Sequence, residues 1–221
     1  VRRPAPDPVE LTAAVEAIRA AERPLIVAGG GVHHSEAEAA LKAFVEATGI
    51  PVSSTQAGKG SLRYDHPADL GGIGHTGTSV SDDLARAADL VIGVGTRYTD
   101  FTTASGTLFR NPDVRFLNLN IAPFDGHKLA GLPLIADAHN GLEELTERLQ
   151  MHGHRAAGSY VTEYTEDKER WEQRVDACFE ADEIDARPSQ PQVLGALDAL
   201  VDESDIIINA AGSLPGDLHK L

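Results

Sequence analysis

Three glycine-bearing segments contain residue types that can hold an anion. Gly29-Gly30-Gly31 follows the apolar run Leu25-Ile26-Val27-Ala28 and precedes a stretch with helical spacing. Backbone amides and a helix dipole can meet a phosphate at such a junction. Set on the dinucleotide pattern, Gly29 and Gly31 fit, but the third glycine position holds His34. No acid closes the next strand, where Ser53, Ser54 and Thr55 stand. The other reading is a tight strand-to-helix turn that needs glycine dihedrals.

Gly95-Thr96-Arg97 is the second segment, placed after a strand ending at Val94. Open α/β sheets bind ligands at the carboxyl ends of their strands. Arg97 is there either an anion partner or half of a surface salt bridge. The third segment runs from Thr55 to Ser61 and contains Gly58-Lys59-Gly60-Ser61. It lacks the leading glycine of a nucleotide-hydrolase phosphate loop, because Ser53 and Ser54 stand in that place.

Other chemistry is poorly supplied. No acid at helical spacing accompanies His33, His34, His75, His152 or His154, and the adjacent pair would point apart on a regular element. Solvated loop histidines are the expectation. No serine sits in the strained strand-turn-helix setting of a hydrolase nucleophile. A single cysteine, Cys178, excludes an internal disulfide and a multi-cysteine zinc site. Between Ala177 and Phe179 it reads as a packed, inert helix position.

The elements that must position these loops follow an alternating grammar. Asp7-Pro8-Val9-Glu10 is a helix start, and Leu11, Val15 and Ile18 carry the helix to about residue 22. After the first strand, Ser35 and Glu38 read as a capping box for a helix through Leu41, Phe44 and Val45, with Gly49 as its left-handed C-cap. Further strands are expected at 51–53, 89–94, 115–121 and 134–136, with helices near 78–88 and through Leu142, Leu145 and Leu149. Parallel strands alternating with helices, joined by right-handed crossovers, give a three-layer, doubly wound α/β sandwich.

Four divisions result: an incoming linker at 1–7, a domain at 8–150, a linker with a charged helix around Trp171 and Val175 at 151–188, and a further segment at 189–221. The last offers a helix from Gln192 to Asp202, a buried-type strand Asp205-Ile206-Ile207-Ile208-Asn209 and the turn Ala210-Ala211-Gly212. That strand has no neighbours of its own, and the chain starts at Val1 rather than Met, so a fragment of a longer protein is expected. The 34 acidic and 19 basic residues sum to −15, which repels nucleic-acid phosphates and anionic membranes. No apolar run approaches the roughly 20 residues of a membrane span, and no secretion signal opens the chain. A cytoplasmic location follows by default.

Four blocks, in order, carry a family resemblance: Arg23 to Val32, Gly49-Ile50-Pro51-Val52, Gly58 to Ser61 with Asp65-His66-Pro67, and Ala88 to Arg97. They resemble the central domain of thiamine-diphosphate-dependent enzymes such as acetolactate synthases. The run Asp100-Phe101-Thr102-Thr103, the stretch Leu119 to Asp125 and the terminal Ala210 to Leu221 are similar to the ring-opening trihydroxycyclohexane-dione hydrolases of inositol catabolism. Acetolactate synthases continue the arginine block differently, with a phenylalanine and paired aspartates.

The resemblance implies a cofactor, thiamine diphosphate with Mg2+, held by N- and C-terminal domains absent from this sequence, in a homodimer or homotetramer. It leaves the present chain without catalytic residues or metal ligands and inert by itself. Gly212, Ser213 and Leu214 match the family's diphosphate-side turn, unless that stub is disordered or packs on a neighbouring molecule. Some relatives bind FAD on this domain through the glycine loop, the arginine block and an acid, but Asn120 replaces the acid here. FAD is therefore not expected, and Gly29, Gly30, Gly31, Gly95 and Arg97 become vestigial nucleotide loops. The competing readings are an acetolactate synthase-like carboligase domain and a free-standing nucleotide-binding module.

Overall fold

The computed structural model describes residues 3–180, 187–202, 204–209 and 212–221. Six strands form one parallel sheet: β1 (Pro24–Ala28), β2 (Val52–Ser54), β3 (Asp69–Gly72), β4 (Leu90–Val94), β5 (Arg115–Asn120) and β6 (Leu132–Ile135). Their order is β3-β2-β1-β4-β5-β6. This is the doubly wound order, with the strand sequence reversing between β1 and β4. Ile26 is in register with Val52 on one side and Ile92 on the other. Every residue of β1 and β4 is buried, as required of central strands covered on both faces.

Helices α1 (Pro8–Arg19) and α3 (Glu38–Thr48) both pack on α7 (Ala138–Met151), and α4 (Ser79–Ala87) packs on α8 (Gly158–Phe179). Short helices α2 (Gly31–His34), α5 (Asp100–Thr103) and α6 (Pro123–Gly126) follow β1, β4 and β5. Asp7 caps α1 by accepting from the Val9 and Glu10 amides, and Leu11, Ala14, Val15 and Ile18 line its buried face. α1 stops at Arg19 rather than residue 22. The Asp89 carboxylate accepts from the Glu22 and Arg23 amides at 2.7 and 2.9 Å, which turns the chain into β1.

Two local expectations need correction. Ser35 and Glu38 form no capping box: Ser35 closes α2, while α3 begins at Glu38 behind Ala37 with no side-chain cap. Glu38 instead pairs with His33 Nδ1 at 2.7 Å. The sequence reading also missed β3, whose Gly71 and Gly72 lower its strand propensity. β3 is an edge strand, and the opposite edge, β6, is blunted: Pro133 lacks a donor, and the Ile135 amide donates to Glu10 Oε2 at 2.8 Å.

The segment expected as a linker contains a 22-residue helix that is part of the fold. Tyr160, Tyr164, Lys168 and Val175 are its buried residues, the first three one turn apart. α8 crosses the amino ends of the strands and binds carbonyls there. Tyr160 donates to Pro24 O and Tyr164 to Gly49 O, both at 3.1 Å. The Lys168 ammonium donates to Tyr64 O and His66 O, both at 2.8 Å. Arg23 binds both Glu163 oxygens at 2.9 and 2.6 Å and lies 5.0 Å over the Tyr160 ring.

Beyond α8, Cys178 is exposed rather than packed. Residues 181–186, inside the division expected as a linker at 151–188, lie outside the described ones. α9 (Gln190–Asp198) starts in a capping box of Ser189 and Gln192, and buries Leu194. Asp205 to Asn209 does not form the expected strand. Ile206, Ile207 and Ile208 are 86%, 47% and 90% exposed, so no sheet among the described residues receives them. α10 (Ser213–Lys220) closes the chain; of the expected turn before it, Ala210 and Ala211 lie outside the described residues.

Lys168 tests the strap directly. Lys168→Met keeps the stem but leaves two carbonyls without their donor, an expected loss of about 1–3 kcal/mol. A urea midpoint equal to that of the unchanged protein would show that α8 does not hold the amino edge.

Candidate functional site

The three glycine segments do converge, at the carboxyl edge of the sheet, where β1, β2 and β4 end. Their backbones bind one another. Gly29 N–H donates to Val94 O at 2.8 Å, and Gly31 N–H to Gly95 O at 3.0 Å. Gly95 N–H donates to Leu119 O at 2.9 Å, and Thr55 N–H to Ala28 O at 2.9 Å. A Cβ on Gly31 would fall 2.5 Å from Gly95 Cα, and one on Gly29 2.4 Å from Gly95 O. A Cβ on Gly58 would fall 2.2 Å from Ala28 O. The glycines serve backbone-to-backbone approach, and the donors of Gly29 and Gly31 are already used.

Two neighbouring side chains at this edge also have partners within the fold, Asn120 and Ser53. Asn120, 8% exposed, donates from Nδ2 to Thr96 O at 2.9 Å and accepts at Oδ1 from Ala122 N–H at 3.0 Å. That amide ties the end of β5 to the loop after β4, with one N–H and one lone pair of Asn120 in use. Ser53 Oγ is bound by Ser81 Oγ at 2.7 Å. Arg97 is exposed, and among the described residues its guanidinium makes no ion pair.

The expected diphosphate-side residues lie on the approach to α10. Gly212 is exposed with φ 122°, Ser213 is exposed and donates to Gln190 Oε1 at 3.4 Å, and Leu214 is half-buried. Gly212 precedes the helix, and no side chain caps its first turn. Among the described residues no group of His, Cys, Asp or Glu is arranged to hold a metal ion. The histidines are not all solvated: His33 pairs with Glu38, and His154 Nε2 is buried without a partner.

A pocket of about 410 Å³ that no residue pattern announces lies beside β5. Tyr98, Phe109 and Phe116 pack edge-to-face along it, with ring centroids 5.2 to 6.4 Å apart. Tyr98, Ser105 and Leu129 on its wall have φ of 48°, 55° and 57°, the left-handed region that non-glycine residues seldom adopt. The Tyr98 hydroxyl is buried without a partner, and burial pushes its phenol far above the usual range. The resemblance noted around Asp100-Phe101-Thr102-Thr103 borders this cavity, but nothing in a residue string marks a left-handed tyrosine.

Fold and site together define a doubly wound α/β domain whose switch-point crevice is filled by its own loops. A family model for the central domain of thiamine pyrophosphate enzymes matches residues 11–145, and the chain belongs to that family. It is 40% identical over 244 aligned positions to 3D-(3,5/4)-trihydroxycyclohexane-1,2-dione hydrolase of Clostridium tetani. Proteins of the same name from Bacillus thuringiensis and Bacillus cereus are each 41% identical. Each alignment takes in all of this chain and 38% of the relative's length.

Closure of the crevice is testable by substitution. Gly31→Ala forces apart two backbones, an expected cost of about 2–3 kcal/mol. Gly158→Ala, which meets nothing within 4 Å, is the control and stays within about 0.5 kcal/mol. Equal unfolding midpoints for the two variants would mean that the loops part easily enough to admit a ligand.

Proposed function

We propose that this chain is the central domain of a thiamine-diphosphate-dependent hydrolase that opens a trihydroxycyclohexane-1,2-dione to 5-deoxyglucuronate in inositol catabolism. The observation that carries the reading is the match along the whole chain, at 40–41% identity, to relatives of that one name. In the longer protein the cofactor supplies the thiazolium carbanion, with Mg2+ holding its diphosphate; the protein binds and orients both. This chain's share is positional. Its loops are tied to one another, so the carboxyl edge offers a rigid platform to the domains on either side.

Residues 189–221 are then the start of the diphosphate-binding domain, with Gly212, Ser213 and Leu214 on the diphosphate side. Two features support this. The first turn of α10 is free of side-chain caps, and the exposed Ile206 to Ile208 has the apolar character of a strand awaiting a sheet. Gly29, Gly30, Gly31, Gly95 and Arg97 act as structural loops, vestiges of a nucleotide site. The full protein works as a cytoplasmic homodimer or homotetramer, with the N- and C-terminal domains of its own chain as partners. No helix among the described residues is long and apolar enough to cross a membrane.

A free-standing nucleotide module is disfavoured by the used donors at Gly29 and Gly31. An acetolactate synthase-like carboligase is the second reading, and substrate turnover separates the two. The longer protein, loaded with thiamine diphosphate and Mg2+, is expected to consume the cyclic dione and leave pyruvate untouched; turnover of pyruvate alone would overturn the hydrolase. Calorimetric titration of cofactor and Mg2+ into the 221-residue chain is expected to give no binding heat. Tight binding there would place the cofactor site within the chain itself.

A further inference from the structure

A separate cleft lies between the carboxyl ends of β2 and β3, and α10 fills it with one side chain. His219 is 5% exposed there. Its Nδ1 lies 2.9 Å from Thr76 Oγ1, and its Nε2 lies 3.2 Å from the Ser54 carbonyl oxygen. A Cβ on Gly72 would meet the imidazole at 2.6 to 2.8 Å, and its three nearest atoms all belong to that ring. Beside it, the Lys59 ammonium donates to Leu218 O, and a Cβ on Gly216 would lie 3.1 Å from Thr76 Cγ2.

We propose that His219, as a neutral imidazole, is the pin that docks the C-terminal helix onto the central domain, and that residue 72 is glycine in order to receive it. Ser54 O can only accept, so Nε2 carries the proton and Nδ1 accepts from the Thr76 hydroxyl. Both ring nitrogens are thereby satisfied without charge. Docking of α10 also fixes the turn at Gly212 to Leu214; any bearing of that turn on a diphosphate rests on the function proposed above, whereas the docking does not.

Protonation of the pin would place a charge in a closed cleft beside Lys59. Burial first, and then Lys59, hold the His219 pKa below its ordinary value of 6.5. A histidine depressed in the docked state supports docking fully above its undocked value, and that support is lost as pH falls below it. The other charged groups facing this region are Asp69 on β3, Asp82 on α4, and Asp217 and Lys220 on α10 itself. Asp69 is pushed up to about 6 by burial and acts on Lys59, so its titration must be separated from that of His219.

Amide hydrogen exchange on the 221-residue chain reads the docking without any cofactor. Gly72→Ala is expected to lower protection across 213–220 tenfold or more, by roughly the loss of one buried contact, while Val27, Val91 and Ile92 in the sheet keep theirs. In a His219→Ala background, Gly72→Ala is expected to change nothing further. Acidification from about pH 7.5 to 5.5, corrected for intrinsic exchange, should weaken α10 protection about tenfold, and Asp69→Asn should leave that response in place. Full protection of α10 in Gly72→Ala, or an equal loss in the sheet, would overturn the pin. A pH response that vanishes in Asp69→Asn would overturn its protonation.

Discussion

The contact between Gly31 and Gly95 is the constraint on which the carboxyl edge depends. In a doubly wound sheet the loops after the two central strands diverge at the switch point and usually leave a crevice for a ligand. Here they meet backbone to backbone, with Gly31 N–H bound to Gly95 O and Gly29 N–H bound to Val94 O. Neither loop can move without breaking these bonds, of which the one from Gly29 to Val94 is buried. The effect spreads sideways, because Gly95 N–H reaches Leu119 O and Asn120 clamps Thr96 O. Four strand ends become one unit.

The amino edge is closed by different means. There α8 presents two tyrosine hydroxyls and a lysine ammonium to carbonyls at Pro24, Gly49, Tyr64 and His66. These are polar anchors on an otherwise charged helix, and they let a helix of low hydrophobicity belong to the core. The bidentate Arg23 and Glu163 pair adds orientation more than stability, since both side chains are about a third or more exposed. The sheet is thus tied at both of its ends by bonds between its own elements.

Much of this was legible in the residues, for physical reasons that differ by element. β1 and β4 were readable because strands buried on both faces must be continuously apolar, and β3 was not, because Gly71 and Gly72 look like loop. The capping box at Ser35 and Glu38 failed because a four-residue helix intervenes and takes Ser35 as its own end. The anchoring of α8 was hidden, since tyrosine and lysine at one-turn spacing also describe a solvated helix. For the candidate site, the positions of Gly29, Gly31 and Gly95 could be read but not their partner. Glycine suits a phosphate cradle and a backbone crossing for the same reason, the missing Cβ, and only the fold shows which one fills the space.

That ambiguity bears on why glycine stands at these loop positions whatever they bind. Once the backbones of two loops occupy the crevice, the glycines are retained by sterics: a methyl at Gly29, Gly31 or Gly58 would lie within about 2.5 Å of a backbone atom. The residues that would have to read a ligand are under no such constraint. The position that would take an acid holds Asn120, whose amide does structural work no carboxylate could do, because it donates to Thr96 O while accepting from Ala122 N–H. An aspartate there would keep the acceptor and lose the donor, leaving two oxygens facing each other. The asparagine is therefore a consequence of the closed crevice, and together with the glycines it keeps that crevice closed.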